Sequence, residues 1–195
     1  MHEFSEPAVG HSLEIENRLG RIHHLLESRI GHALYDEIME PTSSLEATAY
    51  HEAGHAVLAL ILDRPVTRVS IVPNDERLGL CEFGKSVFRP SEDWLEREIL
   101  IALGGIAAEA RFTGNYAWQG AARDQQVVHE LAVQRAGDRR AEKLERRLLA
   151  KAEHYLADEN YWHAVELIAA ELLRHTEISG RTARHLFERA SDTQK

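Results

Sequence analysis

Leu13, Ile15, Leu19, Ile22, Leu26, Ile30, Leu34 and Ile38 recur, from Ile15 onward, at three- and four-residue steps, so residues 12–39 read as an amphipathic helix. Pro41 is expected to stop it, and Ser43-x-x-Glu46 spells a capping box that opens a second helix running to about Leu62. Every residue from Ala56 to Leu62 is apolar, which marks this second helix as buried. Past Asp63-Arg64-Pro65 the period changes. Val66–Val72 alternates apolar and polar residues and is rich in β-branched side chains, the signature of a strand; Asn74–Arg77 reads as a turn and Leu78–Phe83 as a second strand. Ser91 or Glu92 opens a long helix to about Phe112, followed by a loop over Thr113–Gln119. From Gly120 the pattern is helical, with breaks expected at Gly137-Asp138, near Asp158–Asn160 and at Ser179-Gly180. The pattern predicts a predominantly helical α+β fold, with a small β-sheet and a C-terminal helical bundle. It divides into an N-terminal helical extension, residues 1–41, and a main domain, residues 42–195.

Composition narrows the partners. A formal net charge of −9 over 195 residues argues against nucleic acid, whose phosphates need clustered Lys and Arg. The basic run from Arg139 to Lys151 is interrupted by Glu142 and Glu145 and reads as a solvated helix face. Cys81 is the single cysteine, which excludes an internal disulfide and suits a reducing compartment. The start, MHEFSEPAVGHS, lacks the basic and apolar regions of a signal peptide, and the longest apolar run is too short to span a bilayer. A cytoplasmic chain without membrane insertion is the expectation.

Two motifs suggest different chemistries. In HEAGH, residues 51–55, a helix would set His51 and His55 about 40° apart and about 6 Å along the axis, so both imidazoles can address one ion. Zinc held by two imidazoles needs a third protein ligand and an open position. Glu52 stands beside that face, where a carboxylate can take a proton from water. A buried His and Glu also require partners. The extended pattern with Gly and His further along the helix is absent, because Leu58 and Ile61 occupy those positions. Glu109, Asp124 and His129 remain open as the third ligand. The second motif, GLCEFGKS at residues 79–86, spells a phosphate loop, but Lys85-Ser86 leads into Val87-Phe88-Arg89-Pro90, which cannot continue as a helix. Glu82 would also repel phosphate. No nucleotide site is expected there; the stretch reads instead as an edge strand, Leu78, Gly79, Leu80, Cys81, Glu82 and Phe83, able to pair with an extended peptide. Cys81 as a regulatory zinc ligand is weighed against a small strand side chain, and the latter is favoured.

Several ordered blocks resemble the peptidase domain of the FtsH family of membrane-anchored, ATP-dependent zinc proteases. TAYHEAGHAV (48–57) resembles its zinc helix, VTRVSIVP (66–73) its following strand, and LGGIAAEA (103–110) its Gly-Gly-Arg-Ala-Ala-Glu-Glu segment. GAARD (120–124) resembles Gly-Ala-Ser-Asn-Asp, whose Asp is the family's third zinc ligand. The resemblance covers about residues 45–190. It implies a zincin-like HExxH helix, one Zn2+ per chain on His51, His55 and Asp124, Glu52 as catalytic base, and Glu109 as a hydrogen-bond partner of a ligating histidine. It implies peptide pairing for the Leu78–Phe83 strand. Ile106 and Ala110 stand where the family has Arg and its second Glu, and Ala122-Arg123 replace Ser-Asn.

The expectation is a stand-alone zinc metalloendopeptidase acting on flexible or unfolded polypeptide, without ATP and without the family's ATPase module or membrane anchor. The alternative is a non-proteolytic, zinc-containing peptide-binding adaptor. A homo-oligomer or a separate ATPase acting in trans are the further partners considered, with the helix of residues 12–39 as a docking element. Tyr50, Tyr116 and His129 are the candidates for stabilising an oxyanion.

Overall fold

The computed structural model describes residues 32–73, 78–84, 92–118 and 120–192. The chain divides into two compact units, residues 1–43 and 44–195. Residues 12–31 of the expected amphipathic helix, the turn at 74–77 and the segment 85–91 lie outside the described residues. The architecture is predominantly helical α+β: α1 (His32–Ile61), β1 (Val66–Ser70), β2 (Leu80–Phe83), α2 (Glu92–Thr113), α3 (Ala122–Ala136), α4 (Asp138–Ala157), α5 (Glu159–His175), β3 (Glu177–Ser179) and α6 (Gly180–Asp192). The bounds of α1 take in Pro41, so the proline does not end the helix and Ser43-x-x-Glu46 does not begin one. Proline's fixed φ is itself helical; its penalty is one missing N–H bond and a ring clash, which a helix can absorb by bending.

The breaks within the C-terminal bundle have local causes. Gly137, at φ 78°, separates α3 from α4. Asp158 caps α5, its carboxylate accepting from the N–H groups of Asn160 and Tyr161 at 2.9 and 3.3 Å. Thr176 turns left-handed after α5 (φ 57°) and hands the chain to β3. Ala141, Leu144, Leu148, Ala152 and Leu156 form the buried stripe of α4, which packs with α2 and α3. Ala164, Val165, Ile168, Ala169 and Leu172 do the same for α5, which packs against α6.

The sheet is antiparallel, in the order β2-β1-β3. The sequence pattern yields two of its strands; β3 is three residues long, too short to show a period of two. Both predicted strands are shortened. Ile71 leaves the ladder to donate to the carbonyl of Thr176 at 2.8 Å, and Gly79 is drawn down against α1 rather than along the sheet. Thr67 is bulged out of register between Val66↔Phe83 and Arg68↔Glu82.

The feature that positions the site is the meeting of α1 and α2. A Cβ on Gly54 would lie 2.3 Å from the carbonyl oxygen of Gly104, and one on Gly104 would lie 2.8 Å from that of Gly54. Only glycine at both positions allows backbone contact, and that contact brings the HEAGH face onto α2. Around it Ala53, Ala56, Val57, Leu58 and Ala59 have no exposed surface.

Candidate metal centre

Among the described residues the buried polar or charged side chains are His51, Glu52, His55 and Ser70, with 8, 6, 7 and 5% exposure. Three of the four belong to HEAGH. Polar groups withdrawn from water this far need compensation, and α2 and α3 supply it. His51 Nδ1 lies 2.8 Å from Glu109 Oε2, and His55 Nδ1 donates to the carbonyl oxygen of Ile101 at 2.8 Å. A carbonyl can only accept, so the Nδ1 of His55 carries the hydrogen and its Nε2, in the neutral ring, is a bare lone pair. The Glu109 carboxylate imposes the same tautomer on His51.

Both Nε2 atoms then meet a third acceptor. They are 3.0 Å apart, and Asp124 Oδ2 lies 2.9 Å from Nε2 of His51 and 3.5 Å from Nε2 of His55. Three lone-pair atoms without a donor between them repel one another unless a cation or a proton intervenes. Ligands bonded at 2.0–2.2 Å to a tetrahedral zinc stand roughly 3.3–3.5 Å apart. The triangle of 2.9, 3.0 and 3.5 Å is within a few tenths of an ångström of that spacing. Among the described residues this is the one group of His, Cys, Asp and Glu able to hold a metal ion. The donor set therefore fits zinc, with two neutral imidazoles, one carboxylate and the outer hydrogen bonds that orient ligating histidines.

The electrostatics agree. Burial opposes a charge on His51, but its hydrogen bonds to Asp124 and Glu109 outweigh burial and push its pKa up to about 10. Burial likewise works against Asp124 ionising, and the charges and hydrogen bonds of His55 and His51 hold it well below the ordinary carboxylate range. Without metal, the triangle thus takes up a proton. The sign of the consequence follows. His51 gains its pKa on folding, so its contribution to stability is complete below roughly pH 6.5, the unfolded value, and is lost as the pH rises through about 10. Thermal unfolding of metal-free protein between pH 6.5 and 9.5 should show Tm falling across this window. A zinc ion held there would displace the proton, so the zinc-loaded protein should lack that His51-dependent fall. Equal pH profiles with and without zinc would contradict the assignment.

Gly105 is the site residue that sequence reasoning overlooks. A Cβ there would lie 2.5 Å from Nε2 of His55 and 2.7 Å from Nε2 of His51, where a bound ion needs room. The signal in the sequence was the Gly-Gly pair one turn before Glu109. Ile101 was unreadable, since any residue type supplies a carbonyl.

The structure brings Glu52 and the peptide-strand candidates together. A Cβ on Gly79 would lie 2.5 Å from Glu52 Oε1, so the backbone entering β2 rests on that carboxylate. Cys81, within β2, feels the same carboxylate. Burial first, and the Glu52 charge second, push its thiol well above the usual cysteine range, and Cys81 is not in the metal-capable group. Leu78, which precedes β2, is exposed. The carbonyl of Glu82 faces β1, accepting from Thr67 Oγ1 at 3.0 Å, and the N–H of Gly84 donates to Pro65 at 2.8 Å. Since N–H and C=O of one strand residue share an edge and neighbours alternate, those of Cys81 and Phe83 fall on the edge of β2 that pairs with no other described strand. The segment with phosphate-loop spelling is, over Leu80–Phe83, this strand.

The remaining candidates sit elsewhere. His129 is exposed on α3, with Nδ1 2.9 Å from Glu145 Oε1. Tyr50 stacks on Phe112 and Trp162, and the hydroxyl of Tyr116 donates to Glu153 on α4. No described helix is long and apolar enough to cross a membrane.

The fold is a small α+β domain in which two histidines of one helix and a carboxylate of a neighbouring helix form a group able to hold a metal ion. Residues 37–137 match the model of peptidase family M41, and the chain belongs to that family. It carries an FtsH-type peptidase domain. Over 93 residues it is 37% identical to the chloroplastic ATP-dependent zinc metalloprotease FTSH of Medicago sativa, covering 44% of this chain and 13% of the relative. Over 96 residues it is 41% identical to the ATP-dependent zinc metalloprotease FtsH of Magnetococcus marinus, covering 45% and 13%. The FtsH of Marinobacter nauticus is 37% identical over 68 residues, covering 33% and 11%. The chain thus spans only about an eighth of the length of these relatives.

Proposed function

We propose that this chain is a zinc-dependent endopeptidase that cleaves extended or unfolded polypeptide. The observation that carries the reading is the convergence of His51 Nε2, His55 Nε2 and Asp124 Oδ2 with both Nδ1 atoms already committed to acceptors. Zinc held there would supply a Lewis acid that lowers the pKa of water and polarises a carbonyl. The chain's own residues would do the rest. His51 and His55 present lone pairs in the tautomer fixed by Glu109 and Ile101. The open edge of β2 pairs with the substrate backbone at Cys81 and Phe83, which orders an extended segment beside the metal locus. Glu52, beneath Gly79 at the start of that edge, takes the proton of the attacking water and returns it to the leaving amine.

The relatives are named ATP-dependent. For this chain we place no nucleotide requirement on hydrolysis of a segment that is already unfolded. The test is digestion of unfolded casein by purified chain without nucleotide. Cleavage should cease on removal of zinc with a chelator and return on adding stoichiometric zinc. Cleavage that persists in chelator, or that needs ATP even with unfolded casein, would overturn the reading.

A further inference from the structure

Arg64 stands where three elements converge. Its backbone N–H donates to Ala59 at 2.8 Å, which anchors it to the last turn of α1. Its Nη1 donates to the carbonyl of Gly84, at the end of β2, at 2.5 Å. Its guanidinium lies over the Phe83 ring, 5.6 Å from the centroid. Its Nε is 3.3 Å from Glu98 Oε1 on α2, and both side chains are 17% exposed. Arg97, at 3.1 Å, adds a second cation to the same carboxylate. The α1 and α2 helices hold His51, His55, Gly105 and Glu109, so Arg64 ties the end of β2 to α2 through its guanidinium and to α1 through its backbone N–H.

We propose that Arg64 is a positioning residue for substrate, fixing the register and height of the β2 edge relative to the metal triangle. This rests on the reading of β2 as the peptide-pairing edge. At its other end β2 is fixed by Gly79 on Glu52. Between these supports lie Cys81 and Phe83, whose backbone groups face outward. A planar fork can hold a carbonyl and a carboxylate while stacking on a ring; an ammonium can satisfy only part of that set. Loosening this end therefore leaves the metal ligands and Glu52 in place but lets the edge drift, so substrate pairing weakens while chemistry on a bound segment is spared.

The test uses the full zinc-loaded chain with fluorescein-labelled casein. Arg64→Ala should raise KM by about tenfold with kcat within about twofold, and with zinc content unchanged. Arg64→Lys should fall between it and the wild type. Glu98→Gln, which keeps volume and leaves Arg64 its bond to Gly84, should raise KM in the same direction by less, and is read in the same way if Arg64→Ala does not fold. Binding of the labelled casein is measured separately in the Glu52→Gln background, where no turnover is needed. Loss of binding on adding Arg64→Ala supports the proposal. Unchanged binding, or a fall in kcat at constant KM, overturns the role of Arg64 alone. Absence of binding with Arg64 intact removes the edge reading itself, and the proposal with it.

Discussion

Glu52→Gln is expected to reduce hydrolysis of unfolded polypeptide by at least about 10²–10⁴-fold, the range that a positioned general base supplies. Zinc content should be unchanged. Both halves follow from position. Glu52 is not one of the three atoms that converge on the metal locus, so glutamine removes no ligand. Its carboxylate nevertheless acts on both histidines, favouring their charged forms, and it lies against Gly79 at the head of the open strand. Glutamine keeps the volume in that contact and cannot accept a proton there. Steady-state digestion of labelled casein, with zinc measured on the same preparation, checks the prediction. A variant with full zinc and near-normal turnover would show that another group takes the proton.

Asp124→Ala and Gly105→Ala should both empty the site, by different routes. Removing Asp124 leaves two imidazole lone pairs, one protein ligand short of a catalytic zinc site. The loss in zinc affinity should exceed the roughly 10–100-fold that follows loss of an outer hydrogen-bond partner alone. Gly105→Ala keeps all three ligands and fills the space between the imidazoles, since the added methyl would stand 2.5 and 2.7 Å from the two Nε2 atoms. The histidine rings would have to move away from Glu109 and Ile101 to make room. Competition with a fluorescent zinc chelator measures both. Helical circular dichroism should stay near wild type, because neither change touches the Gly54–Gly104 crossing. Full zinc occupancy in Asp124→Ala would mean that the third ligand is another group; full occupancy in Gly105→Ala would mean that the ion sits off the triangle.

The local parts of this site were legible in the sequence. His51 and His55 are one helical turn apart, and the apolar run Ala56–Leu62 marks their helix as buried. The helix breaks at Gly137, Asp158 and Ser179 were readable because Gly imposes one through its backbone geometry, and Asp158 and Ser179 accept from N–H groups of the helix that follows. What could not be read depends on distant convergence. Asp124 is 73 residues from His51 and Glu109 is 58. Nothing in residue type ranks Asp124 above Glu109 or His129, and the resemblance of GAARD to a known segment did the ranking. β3 gains its strand character from pairing with β1, since three residues carry no periodicity. Pro41 misled because a stop signal is only a tendency where the helix on either side is otherwise favourable. Arg64 reads as part of a polar turn before Pro65 until its contacts with Gly84 and Glu98 appear.

Whether zinc sits on His51, His55 and Asp124 is decided by anomalous diffraction at the zinc edge from crystals of the zinc-loaded chain. One peak per chain is expected, bonded to Nε2 of His51, Nε2 of His55 and a carboxylate oxygen of Asp124, with Glu109 hydrogen-bonded to Nδ1 of His51 and not to the metal. A peak ligated by Glu109, His129 or Cys81 in place of Asp124, or no peak at the triangle, would contradict it.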